Sequence, residues 1–253
     1  MRRTVVALLA LSAVMCAVRA AEPPASKAVE IAKRMMQAMG GEAAWQQAHF
    51  VRFDFIVKIR GEESITRSHL WDKRTGRYRL EDKAGNGDPG VVLFNVTNHQ
   101  GVAYVSGRKL EGSAAAAALQ GSYRTYSTDI EWLALPWMWL DPNVSLKYVG
   151  QKTIGGQLFD LVEVTVQRAS GAAGRYNAYV STKSHLVEKC EVLGAPAKSL
   201  WDWQYVTTGG VKLASDHTDK EQNASISMGR VEVLDKVDDA YFADAAHWLA
   251  KLK

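Results

Sequence analysis

The chain has 253 residues, of which 47% are hydrophobic and 23% are charged. That length is enough to bury a sizeable core, and no apolar run reaches the about 20 residues that a membrane-spanning helix needs. The formal net charge of +4 owes much to three arginines among the first twenty residues. The charge therefore gives no support to a nucleic-acid partner or to an anionic membrane surface.

The first twenty residues have the pattern of an export signal. A basic head precedes an almost unbroken apolar run over 5–18, and small residues follow where a signal peptidase cuts, which predicts a mature start at Ala21. Cleavage of residues 1–20 would leave 233 residues with 28 Lys plus Arg against 27 acids. We expect a soluble periplasmic protein. A lipoprotein signal cut before Cys16 is the alternative, although Met15 stands where that processing needs Gly, Ala or Ser.

An amphipathic helix is predicted at the start of the mature chain. Ser26 can cap it, and Gly40-Gly41 can end it. From His49 to Ile59 the period changes to two, which predicts a half-buried strand, and short turns then return the chain through further strands up to residue 106. The apolar stripe of the helix consists of Ala28, Ile31, Ala32, Met35 and Met39.

The strand pattern breaks between residues 111 and 140. Glu111–Gln120 and Tyr123–Leu135 each have a helical pattern, and Pro136 interrupts the second. Strand patterns then resume, and a short helix from Asp239 to Leu249 ends the chain. The middle segment is therefore predicted to be a helical insertion between two β-meanders.

About a dozen predicted strands are joined by short turns, and no stretch alternates strand with helix. This favours a mainly β (α+β) fold. We expect one strongly curved antiparallel sheet, a half-open barrel, with helices packed on its concave face. A single domain is predicted over residues 21–253, with a helical lid around residues 111–140.

Two hairpins have patterns that are typical of a known superfamily. Residues 148–161 (Y-V-G-Q-K-T-I-G-G-Q-L-F-D-L) resemble a G-x-x-x-I-x-G hairpin, and residues 176–191 (Y-N-A-Y-V-S-T-K-S-H-L-V-E-K-C-E) resemble a Y-x-x-Y-V-D hairpin, both as found in the LolA/LolB-like superfamily. Residues 202–213 are similar to its D-Y-x-x-V-x-G strand pair. The resemblance implies a periplasmic lipoprotein carrier or a related lipid-binding protein.

Residues 131–142 (E-W-L-A-L-P-W-M-W-L-D-P) concentrate three tryptophans in a segment broken by proline. Their side chains can plug the concave face of the sheet, cover a cavity for an acyl chain, or touch a membrane surface. The resemblance favours the cavity, and a place in the core is the alternative for each residue. The predicted ligand-binding residues are Trp132, Leu133, Trp137, Met138 and Trp139 in this segment, Phe53, Phe55 and Val57 on the first strand, Tyr78 and Leu80 on the third, and Met35 and Met39 on the first helix.

No catalytic or metal-binding pattern is found in the sequence. The six histidines stand singly, without zinc spacing, and there is no G-x-S-x-G elbow. Cys190 is followed by Glu191, whose negative charge disfavours a thiolate, so we expect an inert strand residue. The preferred hypothesis is a non-enzymatic monomer, without cofactor or metal, that binds an apolar ligand, a lipid or a lipidated protein. The alternatives are an envelope structural or protein-interaction module without a cavity, and a hydrolase whose catalytic residues converge only in the fold.

Overall fold

The computed structural model describes residues 24–83, 87–168, 171, 173–195 and 199–252. The predicted export signal therefore lies outside the described residues. Within the described part of the chain, no helix combines the length and apolar character needed to cross a membrane.

The helices and strands follow the predicted order. The first half comprises α1 (Pro24–Ala38), α2 (Glu42–Gln47), β1 (Phe50–Ile59), β2 (Glu62–Asp72), β3 (Arg77–Lys83), β4 (Pro89–Asn95), β5 (Gly101–Val105), β6 (Arg108–Lys109) and α3 (Gly112–Ala134). A 3₁₀ turn at Leu135–Met138 leads to β7 (Val144–Ile154), β8 (Gln157–Gln167), β9 (Ala173–Ser181), β10 (Val187–Val192), β11 (Leu200–Thr208), β12 (Val211–Asp219), β13 (Ala224–Leu234), α4 (Ala240–Ala243) and a last 3₁₀ turn at Leu249–Lys251.

The thirteen strands in the described part of the chain belong to one open antiparallel sheet. Their order is β6-β5-β4-β3-β2-β1-β13-β12-β11-β10-β9-β8-β7, so two meanders join where β1 pairs with β13. The edges are β6 and β7, and α3 connects them, so the helix has to run across the sheet. Its 23 residues span about 35 Å at the α-helical rise. The predicted fold, a mainly β half-open sheet of about a dozen strands with helices packed on it, is confirmed.

The main core lies between the concave face of the sheet and the helices. Alternation along β1 places Val51, Phe53 and Phe55 on this face, where all three are buried. The apolar stripe of α1 packs against the same cluster. Gly40, just after α1, has φ +119°, and a Cβ there would lie 2.3 Å from the Gly210 carbonyl oxygen, so the close approach of helix and turn requires glycine.

Helix α3 is one continuous helix, and the prediction of two helices separated near Gly121 was wrong. Glycine in a helix interior costs only about 1 kcal/mol relative to alanine. The tertiary packing that follows offsets this cost, because the Tyr126 ring lies 4.8 Å from the Tyr78 ring and 6.3 Å from the Phe94 ring, and Tyr123 joins the same cluster.

The C-terminal segment crosses the opposite face of the sheet, and the predicted helix there is much shorter than expected. Buried Arg79 on β3 donates hydrogen bonds to the carbonyl oxygens of Tyr241 (3.1 Å), Asp244 (2.9 Å) and Ala245 (3.1 Å). In a continuous helix over residues 239–249, these carbonyl oxygens would accept hydrogen bonds from the backbone N–H groups of the helix itself. The arginine side chain therefore competes with the helix, which ends at residue 243.

Candidate functional site

A pocket of about 480 Å³ lies between the middle of α3 and strands β3, β4 and β5. Its volume falls in the range of roughly 300–1,000 Å³ that is typical of small-molecule sites. Six residues of α3 line the pocket, and they recur every three or four positions on one side of the helix. One of them is Arg124, and the other five have small side chains, which leave space between the helix and the sheet. The five small residues are Ala118, Gly121, Ser122, Thr125 and Thr128.

Strand register explains the floor of the pocket. Leu80 on β3 pairs with Val92 on β4, which pairs with Ala103 on β5, and all three line the pocket as an apolar row. Two residues further along, on the same side of the sheet, Asp82 pairs with Gly90. Side chains alternate between the two faces of a strand, so Asp82 lies on the same face as Leu80 and makes the floor of the pocket polar at that end.

Arg67 of β2 lies at the polar end of the pocket, between two carboxylates. Its Nε donates to Asp82 Oδ2 (3.0 Å), and its Nη1 donates to both carboxylate oxygens of Asp129 (2.9 and 3.2 Å) on α3. Burial opposes the charge of the guanidinium, but Asp129 and Asp82 outweigh this effect and raise its pKa above the ordinary value. This ion-pair cluster therefore fixes Arg67 in the pocket wall and ties α3 to β2.

His69 is buried directly behind this cluster. Its Nδ1 lies 2.8 Å from the Tyr78 hydroxyl, and its Nε2 lies 3.4 Å from Asp129 Oδ2, a close approach without hydrogen-bond geometry. The ring of Phe53 stacks on the imidazole at 4.3 Å. The hydrolase alternative needs such a convergence in an open cleft. His69 has no exposed surface and does not line the pocket. Its contacts with Tyr78 and Asp129 therefore help to hold α3 against the sheet.

The later part of α3 is held by a second buried ion pair. Arg168, which follows β8, donates from Nε and Nη2 to the two carboxylate oxygens of Glu131, each at 2.7 Å. Tyr176 of β9 also donates to Glu131. Hydrogen bonding to Glu131 raises the pKa of Arg168, and burial, followed by Glu131, raises the pKa of Tyr176.

The tryptophans of residues 131–142 fill the concave face away from the pocket. Trp137 stacks on Trp45 at 5.0 Å and donates from Nε1 to the Lys212 carbonyl oxygen at 2.9 Å. Trp139 is 1% exposed. Trp132 is half-buried and contacts the rings of Trp201, Trp203 and His217. In this conformation their positions correspond to the core-plug interpretation.

The predicted ligand-binding residues occupy four different places. Only Leu80 lines the 480 Å³ pocket, while Tyr78 packs in the aromatic cluster next to its floor. Met138 lines a smaller cavity of about 140 Å³ beside Glu131. The others pack in the main core, and their role toward a ligand stays a prediction. They are Met35, Met39, Phe53, Phe55, Val57, Trp132, Leu133, Trp137 and Trp139.

Sequence reasoning did not predict the roof of the pocket or its charged end. The alanine run over residues 114–118 indicated a helix, but the small side chains from Ala118 to Thr128 were also a signal that this side of the helix cannot fill the space beneath it. Arg67 and Asp129 lie 62 residues apart, and no local pattern pairs them. Among the residues that the structure describes, no group of His, Cys, Asp and Glu is arranged to hold a metal ion.

Cys190 lies on β10 and is buried. Burial, and secondarily Glu191, raise the pKa of its thiol. The predicted position on a strand is confirmed, and the low reactivity of the thiol stays a prediction, which burial supports because a raised pKa leaves little thiolate.

No protein-family model matches the chain, and no curated protein sequence matches it. Among solved structures, it is similar to a DUF1329 family protein from Desulfovibrio piger, with 12% identity, a TM-score of 0.49, and coverage of 87% of this chain and 98% of that one. It is also similar to an outer membrane lipoprotein-sorting protein domain from Vibrio parahaemolyticus (10% identity, TM-score 0.46, 86% and 97% covered). A LolA superfamily protein from Nitrosomonas europaea matches with 9% identity and a TM-score of 0.44 (80% and 97% covered). At these identities the likeness concerns the fold alone.

Proposed function

We propose that this protein is a binding or carrier protein, not an enzyme, and that it shelters an apolar chain of a lipid or lipidated protein beneath α3. The observation that carries the proposal is the pocket of about 480 Å³ between the small-residue side of α3 and the apolar row of β3–β5. The export-signal pattern of residues 1–20 supports a periplasmic location.

The walls of the pocket suit an acyl chain. Each buried CH₂ group contributes about 0.8 kcal/mol, so about ten such groups would match the roughly 8 kcal/mol of a micromolar complex before ordering costs. The floor residues Leu80, Val92 and Ala103 and the roof residue Ala118 supply the apolar surface. Within this proposal Leu80 contacts the chain, and the predicted aromatic residues of the core hold the sheet and α3 in place around it.

The proposal is tested by native mass spectrometry of protein purified from the periplasm of expressing cells, together with solvent extraction and lipid analysis. We expect a population heavier than the bare chain by the mass of a lipid, and the same lipid in the extract. An unrelated exported protein from the same cells is the control. A bare mass that stays unchanged after incubation with dodecanoate would contradict the proposal, and a stoichiometric protein partner without lipid would favour the interaction-module alternative.

A further inference from the structure

We infer that the apolar chain carries an anionic oxygen group, a carboxylate or a phosphate, which is received by Arg67, Lys83 and Arg124 at the polar end of the pocket. This inference rests on the proposed function, because it concerns the headgroup of the same ligand. It names the ligand class as acidic amphiphiles, in contrast to neutral or cationic ones.

The first observation is a continuation of the pocket past Arg67. A second cavity of about 320 Å³ shares Arg67, Asp82 and Lys83 with the pocket, so the two adjoin at these residues. The second cavity is otherwise lined by the outer part of β2, which is largely polar. Its residues there are Glu63, Ser64, Ile65 and Thr66. The combined space is apolar at one end and polar at the other, as an amphiphile requires.

The second observation is the unused donor capacity of Arg67. A guanidinium has five N–H donors. Nε is directed to Asp82 and Nη1 to the two oxygens of Asp129, while no described residue accepts a hydrogen bond from Nη2. The two carboxylates hold the plane of the guanidinium, and the side chain keeps 19% of its surface exposed. Arg67 therefore offers a preorganised pair of donors where the two cavities meet.

The third observation is the charge of the lining. Lys83 and Arg124 are exposed, line the pocket, and form no ion pair with a described residue. With Arg67 they give the lining of the larger pocket three positive charges, against Asp82 in the lining and Asp129 beside it. The excess in the larger pocket is positive, whereas Glu63 adds a negative charge to the second cavity. One anionic group on a ligand would therefore be received on the larger-pocket side of Arg67. A neutral or cationic headgroup would leave the donors of Arg67 without an anionic acceptor.

Isothermal titration calorimetry of the full chain with four probes tests the inference. The probes are dodecanoate, dodecanol, dodecylammonium and acetate. Because a hydrogen bond to a charged group contributes about 1.5–3 kcal/mol, we expect dodecanoate to bind at least about tenfold more tightly than dodecanol. Dodecylammonium should bind more weakly than dodecanol, and acetate should give no binding, since the anion needs its chain.

Variants at the two exposed cations identify the site. The double substitution Lys83→Gln and Arg124→Gln should weaken dodecanoate about tenfold and leave dodecanol unchanged, because both side chains are exposed and only the headgroup interaction is removed. Arg175→Gln is the matched control, since Arg175 is an exposed arginine on β9 that pairs with Glu163 outside the pocket. It should change neither affinity.

The outcomes separate the inference from the function on which it rests. Equal affinity for dodecanoate, dodecanol and dodecylammonium overturns the anionic headgroup but leaves the apolar pocket standing. Acetate that binds as tightly as dodecanoate also overturns the inference, because the site would then be one for free anions. Failure of all three C12 probes to bind overturns the proposed function itself.

Discussion

His217 is a buried imidazole in the concave core of the protein. Neither of its ring nitrogens makes a hydrogen bond of normal geometry to a described residue. The rings of Trp132 and Trp203 surround it, with centroids at 5.1 and 4.4 Å. Burial lowers its pKa to about 3, although the Trp132 backbone favours the charged form slightly. The folded protein therefore holds this histidine neutral where an exposed one would be protonated.

Replacement of His217 should make the stability of the protein less sensitive to acid. The folded pKa of about 3 is below the ordinary value of 6.5, so the unfolded chain binds the proton first, and stability is lost as the pH falls from 6.5 toward 3. The loss amounts to about 2 kcal/mol at pH 5. We expect His217→Phe to remove this part of the difference between urea unfolding at pH 7.5 and at pH 5.

The control for this residue is His185→Asn. His185 is exposed and has φ +59°, a conformation that asparagine accepts. The control should lose as much stability as the unmodified protein between the two pH values. A His217→Phe variant with that same loss would show that His217 does not titrate as described.

At the scale of elements, α3 has a packed part and an open part. Asp129 and Glu131 anchor the later turns to β2 and to the β8–β9 region, whereas the alanine run near its start is largely exposed and only its last residue, Ala118, lines the pocket. A helix fixed at one end and sparsely packed at the other can yield locally to admit a ligand. The ion pairs of the later turns thus position the roof of the pocket.

Glu131→Gln should destabilise the protein by about 3 kcal/mol, because removing one partner of a buried ion pair leaves the other without its counter-charge. Glu163→Gln is the matched control. Glu163 also pairs with an arginine, but that pair is more exposed, at 55% and 28% of the side-chain surfaces, and a change within about 0.5 kcal/mol is expected. Urea unfolding measures both. Equal effects of the two substitutions would contradict the role assigned to Glu131.

Local patterns predicted the elements better than they predicted the site. Alternation over residues 49–59 identified β1, because a strand with one buried face must alternate. The sequence did not predict that α3 continues through Gly121 or that the C-terminal helix ends at residue 243. Tertiary contacts decide both, because Tyr78 packs against α3 and Arg79 binds the carbonyl oxygens of the C-terminal segment. The charged end of the pocket depends on the pairing of Arg67 with Asp129, which only the crossing of α3 over the sheet brings together.

At the scale of the whole molecule, the pocket is a consequence of topology. Because β6 and β7 are opposite edges of the sheet, the chain has to cross from one to the other, and α3 makes this crossing. Large side chains fill the concave face under the last turns of α3, while small ones face the sheet along its middle. The half-open sheet therefore has one filled end and one end with room for a ligand.

The central claim is that an apolar chain binds beneath α3, and filling the pocket tests it most directly. Titration of dodecanoate should show binding to the unmodified chain and at least about tenfold weaker binding to Ala118→Phe, because the larger side chain would occupy the space of several CH₂ groups. Ala116→Phe places the same side chain at an exposed position of α3 that does not line the pocket, and it should bind normally. Undiminished binding to a folded Ala118→Phe variant would contradict the account.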